Sequence, residues 1–265
     1  MSTPPFIVFS DLDGTLLDHE DYSWGAALPA LAQLRGLGVP VVLASSKTAA
    51  EIARLRADMR LAHCPAIVEN GAGLLGPRET PLERGDDYIR LRACLDAVPG
   101  RLRNHFVGFG DWDTSEVALQ TGLPPEQARL AKQRAFSEPG LWSGTAEERD
   151  AFLDALAEQG VSARRGGRFL TLSFGGTKAD RMAEVVRQYS GDGAASLRTI
   201  ALGDAPNDVE MLEAADYGVV IENPASPEMP TLAGERAGRI RRSTKPGPAG
   251  WNETILALVS ELAGN

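Results

Sequence analysis

The chain has 265 residues, a formal net charge of −9 at pH 7 and 43% hydrophobic residues. That balance is globular, with room for one large domain or two smaller ones. The acidic excess argues against nucleic-acid binding, which needs a basic field, and no run approaches the roughly 18 apolar residues of a membrane span. The first five residues, Met-Ser-Thr-Pro-Pro, lack the basic and apolar regions of a signal peptide. Only Cys64 and Cys94 occur, without a CxxC pattern, so a cytoplasmic, reduced protein without a zinc module is expected. A small anionic substrate stays compatible with the charge, because local cations or a bound metal can reverse the sign inside one pocket.

Residues 6–10 (FIVFS) form a short apolar run rich in strand formers and predict a buried strand. Residues 24–37 place Ala27, Leu28, Leu31 and Leu34 at helical spacing, and Gly36 and Gly38 close the helix. A second strand is predicted at 39–44, a helix over 48–59 and a third strand at 66–69. Strand and helix alternating in this order predict a parallel sheet wrapped by helices. From about residue 83 the rhythm changes. Helices are predicted at 88–98, 114–121, 125–134 and 145–159, with strands at 137–142, 161–165 and 168–173. The first pattern returns with a helix over 178–189, a strand at 199–202, a helix over 208–215 and a strand at 217–221. A last helix spans 250–262, and 224–250 is expected to be loop with a short helix around 227–234. The fold class is α/β. A doubly wound, Rossmann-like parallel-sheet core (1–83 and 174–265) carries an inserted α/β domain (84–173).

The chemistry-bearing residues stand at the ends of predicted core strands, where open α/β sheets bind ligands. Asp11-Leu12-Asp13-Gly14-Thr15 follows the first strand, and carboxylates at i and i+2 there can face one pocket. An Asp-rich turn is the plainer alternative, but this string is rare by chance. Gly203-Asp204-Ala205-Pro206-Asn207-Asp208 follows the strand at 199–202, and Asp208 suits a helix N-cap. Four aspartates converging on one sheet edge repel unless a cation lies between them, and an all-oxygen ligand set selects a hard ion, Mg²⁺ first. Ser45, at the end of the second strand, could bind a phosphate oxygen or merely cap a helix. Lys178, opening a helix, could be a solvated surface residue. Beside the aspartates, both suit a dianionic phosphate.

These ordered elements, Asp11-x-Asp13-Gly14-Thr15, Ser45, Lys178 and Gly203-Asp204-x-x-Asn207-Asp208, resemble the four motifs of the haloacid dehalogenase superfamily of phosphatases. The insertion resembles the α/β cap of its sugar-phosphatase branch. The strings at 44–48, 69–71, 136–139 and 164–169 are similar to those of the mannosyl-3-phosphoglycerate phosphatases. The resemblance implies an aspartyl-phosphate on Asp11, with Asp13 as acid and then base. It implies Mg²⁺ held by the Asp11 carboxylate, the Asp13 backbone carbonyl and Asp204, with Asp208 as ligand or support. Ser45, Lys178 and Asn207 would share the phosphoryl charge. The implied reaction hydrolyses the phosphomonoester of mannosyl- or glucosyl-3-phosphoglycerate, a step in compatible-solute synthesis. The alternatives are another sugar-phosphate phosphatase of the same branch, acting on sucrose-phosphate or hexose-phosphate, or a silent phosphosugar-binding module.

Candidate substrate residues are Ser46 and Lys47 at the core edge, and Arg134, Arg164, Arg165 and Gly167 in the cap. A planar Arg fork suits the glycerate carboxylate, and Arg165 and Arg134 are favoured. Surface charge is the alternative for both. Gly166-Gly167 fits either close ligand approach or a hairpin turn. Thr114, Ser115, Ser137 and Glu138 could meet sugar hydroxyls, whereas Glu69-Asn70-Gly71 suits shaping of the cleft. Phe109, Trp112 and Trp142 are expected to pack inside the cap. Gly85, Gly175 and Gly176 are expected hinges for a closing motion, and His63 and His105 receive no role.

Overall fold

The computed structural model describes residues 6–81, 85–190, 197–226 and 228–263. The apolar run at the start forms β1 (Phe6–Ser10), buried along its whole length. Pro29 sits in the first turn of α1 (Leu28–Gly36), preceded by a 3₁₀ turn at Gly25–Ala27, so the expected 24–37 helix starts later than its apolar spacing suggests. β2 (Val41–Ala44) follows. Next comes α2 (Ala49–Asp58), capped by a reciprocal Thr48–Glu51 box. β3 (Ala66–Val68) and β4 (Gly73–Leu75) are three residues each. The middle of the chain runs through α3 (Asp86–Asp96), α4 (Gly100–Arg103), β5 (Phe106–Gly108), α5 (Thr114–Thr121), α6 (Pro125–Ala131), β6 (Ser137–Trp142), α7 (Ala146–Ala157), β7 (Ser162–Gly166) and β8 (Phe169–Ser173). The C-terminal part holds α8 (Lys178–Ser190), β9 (Arg198–Gly203), α9 (Val209–Ala214), β10 (Tyr217–Glu222), α10 (Ala233–Arg236), β11 (Ile240–Pro246) and α11 (Gly247–Ala263).

Contacts divide the described residues into two units. One lies within Met1–Ser45, His63–Ile67 and Thr177–Asn265, the other within Ser46–Ala62 and Val68–Gly176. In the first, strands run β11-β10-β9-β1-β2-β3, every neighbouring pair parallel. β1, β2 and most of β9 are buried, as parallel strands covered on both faces must be. Sequence runs outward in opposite directions from β1 and β9, so the switch point of the sheet falls between them. Asp11 N–H donates to the Leu202 carbonyl at 2.9 Å, fastening the ends of these two strands together. α11 buries Trp251, whose indole N–H donates to Ser10 Oγ at 2.9 Å.

The second unit carries an antiparallel sheet of order β5-β6-β8-β7. Its main core gathers Leu91, Leu95, Leu102, Phe106, Phe152 and Leu172 from helices and sheet. Phe109, Val117, Ala128 and Ala131 form a smaller cluster where α5 meets α6. Residues 46–62 and 68–81 group by contacts with this unit. Thr48 Oγ1 donates to the Leu130 carbonyl at 3.0 Å, and Glu69 binds segment 135–137. Of the expected hinge glycines, Gly175 and Gly176 both adopt left-handed backbone, at φ +93° and +90°. Residues 82–84, in the other expected junction, lie outside the described residues.

The stretch expected to be loop at 224–250 departs from the sequence reading. Residue 227, where the short helix was expected to begin, is outside the described residues; the helix that forms is α10. β11 then pairs with β10, and α11 begins at Gly247. β11 carries Arg241, Arg242 and Lys245 on an exposed strand, so it has no apolar run to betray it. Salt bridges to Glu261, Glu235 and Glu253 occupy these cations.

Candidate active site

The loop after β1 is a tight knot. Leu12 C=O accepts from Thr15 N and Leu17 N at 3.0 and 2.8 Å, while Gly14 N–H donates to Leu17 C=O at 3.0 Å. Gly14 sits at φ +79°, and a Cβ there would lie 2.2 Å from Asn223 Nδ2 and 2.9 Å from Asp204 Oδ2. Only glycine can take this position. At the end of β9, Gly203 leaves room for Asp208, whose Cβ lies 2.4 Å from where a residue 203 Cβ would be. Asp208 holds the N-cap position of α9, as the sequence suggests, but makes no side-chain cap bond. Its Oδ2 reaches back to accept from Asp204 N and Ala205 N, both at 3.1 Å.

Lys178 opens α8 because Thr177 and Asp180 cap each other, Thr177 N donating to Asp180 Oδ2 and Asp180 N to Thr177 Oγ1. The alternative of a solvated surface lysine is overturned. Lys178 is 1% exposed, and its Nζ donates to Asp11 Oδ1 and Asp208 Oδ1, each at 2.6 Å. Such a cation is buried only because paired carboxylates replace its water. Burial opposes the lysine's charge, but Asp11 and Asp208 outweigh that and hold its pKa above the ordinary value. Burial raises the Asp11 carboxyl well above its usual range; Asp208 and Asp204 push the same way, against the pull of Lys178. Asp204 is also raised by burial, despite donors from Asn223 and Thr15.

The structure thus brings Asp11, Asp204 and Asp208 together, with one carboxylate oxygen of each lying within 4.8 Å of the others. The Asp13 side chain is not part of this group. Three buried carboxylates against one lysine leave excess negative charge, and the donor set is oxygen alone. This fits a hard divalent cation such as Mg²⁺. Ser45, at the end of β2, is buried, and its N–H donates to Ile67 C=O at 3.0 Å. Thr48, not Ser45, caps the following helix. Asn207 is exposed in the turn before α9.

Two residues without an assigned role belong to this site. Thr15 Oγ1 donates to Asp204 Oδ1 at 2.6 Å, and Asn223 Nδ2 to Asp204 Oδ2 at 2.7 Å. Asn223 directly follows β10, the position relative to its strand that Asp11 and Asp204 hold after theirs. That was the signal available in the sequence.

In the second unit, Ser46 is exposed and Lys47 partly buried, its carbonyl accepting from Glu69 N at 2.9 Å. Arg134 is buried against Glu69, Nε to Oε2 at 3.2 Å, and its Nη2 donates to Ser137 Oγ at 2.7 Å. Its fork is therefore engaged inside the protein. Glu138 is likewise internal, accepting from Tyr88 Oη, Arg92 Nη1 and Gly110 N. Phe109 packs edge-on against Phe169, and Trp142 lies 4.9 Å from Phe152, ring centre to ring centre. Arg164 and Arg165 are exposed on β7 and pair with Thr171 and Leu170. Alternation puts Arg165 on the sheet face of Leu170 and Leu172, which pack on the core, and Arg164 on the other face. Gly167, at φ +56°, turns the hairpin, with nothing within 4 Å of where a Cβ would stand.

The sequence matches the family of haloacid dehalogenase-like hydrolases over residues 8–80 and 154–233, more than half the chain. The chain belongs to this family. It is 32% identical to a glucosyl-3-phosphoglycerate/mannosyl-3-phosphoglycerate phosphatase of Persephonella marina, over 97% of this chain and 98% of that protein. The fold is shared with a phosphatase of the haloalkanoate enzyme superfamily from Bacteroides thetaiotaomicron (TM-score 0.65, 18% identity, 97% and 95% of the two chains). It is shared too with the sucrose-phosphatase of Synechocystis (TM-score 0.60, 15% identity, 99% of each chain). The protein is an enzyme, a phosphomonoester hydrolase of this family with an α/β fold.

Proposed function

We propose that this enzyme is a Mg²⁺-dependent phosphatase that converts mannosyl- or glucosyl-3-phosphoglycerate to the glycosylglycerate and phosphate. The observation that carries the mechanism is the buried group of Asp11, Asp204, Asp208 and Lys178 at the switch point of the sheet. The substrate rests on the near full-length similarity to the Persephonella marina phosphatase.

Asp11 and Asp204 would hold Mg²⁺, with the Asp13 backbone carbonyl and Asp208 completing or supporting the protein's share. Bound there, the ion offsets negative charge on the phosphoryl oxygens. An Asp11 carboxylate oxygen attacks phosphorus; the new O–P bond forms as the bond from phosphorus to the glycerate oxygen breaks. Asp13 gives its proton to that leaving oxygen. It then takes a proton from water, which attacks the aspartyl-phosphate and frees both inorganic phosphate and the Asp11 carboxylate. Lys178, Ser45 and Asn207 hold the transferred oxygens. In phosphoryl transfer, such positioning and charge neutralisation supply most of the catalysis.

The second unit is assigned the role of a substrate-selecting cap. Arg164 and Arg165 are its candidates for the glycerate carboxylate, since Arg134 is engaged by Glu69, and Ser46, Lys47 and Gly167 are further candidates for substrate contact. We place the enzyme in the cytoplasm, following its low cysteine content. The test is phosphate release with Mg²⁺ from mannosyl-3-phosphoglycerate, glucosyl-3-phosphoglycerate, sucrose-6-phosphate and mannose-6-phosphate. Preference for the two phosphoglycerates, abolished in Asp11→Asn, is the expected result. Equal turnover of simple sugar phosphates would overturn the substrate and keep the nucleophile.

A further inference from the structure

We propose that Asn223 is a positioning residue that sets the Asp204 carboxylate for the cation, while being itself barred from ligation. The amide orientation is determined by its surroundings. Ala225 N–H donates to Asn223 Oδ1 at 3.0 Å, and a backbone N–H can only donate, so the oxygen must face that way. Nδ2 consequently points to Asp204 Oδ2 at 2.7 Å and to Ser226 Oγ at 3.1 Å. The Ser226 N–H, donating to the Asn223 carbonyl at 3.1 Å, closes the same turn. Thr15 holds the other Asp204 oxygen at 2.6 Å.

Each oxygen of Asp204 thus has one fixed donor, and the carboxylate plane is set before any ion arrives. Gly14 makes this possible, because a side chain there would displace Asn223 first. The amide presents hydrogens, not a lone pair, toward Asp204, so residue 223 orients a ligand without adding one. Partners of this kind around metal-binding side chains typically govern affinity by roughly 10- to 100-fold.

The inference rests on the proposed reading that Asp204 is a cation ligand, and one experiment separates the two. Mg²⁺ is titrated by calorimetry into wild type, Asn223→Ala and Asp204→Asn, and the Mg²⁺ concentration for half-maximal phosphatase activity is measured alongside. The expected result is wild-type binding, none in Asp204→Asn, and an affinity about 10- to 100-fold weaker in Asn223→Ala. The half-maximal Mg²⁺ should rise by the same factor, with kcat at saturating Mg²⁺ reduced far less. If Asn223→Ala does not fold, Asn223→Ser carries the same test, since it keeps a side-chain oxygen for the Ala225 N–H. Wild-type affinity in the Asn223 variant, with binding lost in Asp204→Asn, would overturn the role of Asn223 alone. Unchanged binding in Asp204→Asn would overturn the cation site as read.

Discussion

Lys178 is the residue on which the charge balance of the site turns. With its Nζ 2.6 Å from both Asp11 and Asp208, it is the cation these buried carboxylates share. Removing one member of such a group strands charge in a place that water does not reach, and breaking a buried pair typically costs about 3–5 kcal/mol. Lys178→Met is therefore expected to lower stability by that amount in denaturant unfolding and to cut kcat by at least about 100-fold, the scale set by loss of one charge-stabilising donor. A variant as stable as wild type would mean that removing Lys178 strands no charge in the site. The aspartates themselves are legible in the sequence because each motif follows an apolar strand directly, so strand end and carboxylate arrive in one string. Asn223 shares that place directly after a strand, but neither it nor Thr15 is a carboxylate that calls for a cation. Their grip on Asp204 depends on how β1, β9 and β10 lie side by side, which no local string records.

Between elements, the Glu69–Arg134 pair does the corresponding work in the second unit. Glu69, Asn70 and Gly71 all have left-handed backbone, at φ +52°, +59° and +91°, a conformation that costs non-glycine residues roughly 1–2 kcal/mol each. The turn persists because the Glu69 carboxylate accepts from Ala135 N at 2.8 Å, Phe136 N at 3.2 Å and Ser137 Oγ at 2.7 Å, besides pairing with Arg134. Glu69→Ala would leave a buried guanidinium and buried N–H groups without their acceptor, and about 3–5 kcal/mol of stability should go with it. Glu69→Gln combined with Arg134→Met should cost less than the two single changes summed, with a coupling of about 0.5–3 kcal/mol in a double-mutant cycle. Strict additivity would show that the two side chains do not act together. The same scale explains which elements the sequence announced. β1, β6 and α5 form at the expected boundaries; β1 is an apolar run and α5 opens on a capping box. β4 and β5 are three residues long, and β11 is charged and exposed; their identity lies in the neighbouring strand's hydrogen bonds.

At the scale of the whole chain, the acidic site belongs entirely to one of the two units. Asp11, Thr15, Lys178, Asp204, Asp208 and Asn223 all fall in the unit with the parallel sheet, and none of the gathered carboxylates comes from the antiparallel one. A ligand stabilises whatever structure must be intact to bind it, by about 2.7 kcal/mol at a concentration 100 times its dissociation constant. Mg²⁺ at that level should therefore slow hydrogen exchange of amides around residues 11–15 and 203–208, and of the buried strands β1 and β9, by up to about 100-fold. Amides of β5, β6, β8 and β7 should exchange at unchanged rates, and removing the ion with a chelator should restore the original pattern. Equal slowing in both sheets would show that the two units open as one cooperative block. No slowing at residues 203–208 would mean that Mg²⁺ does not bind the gathered carboxylates of Asp11, Asp204 and Asp208, and the cation site as read would fall.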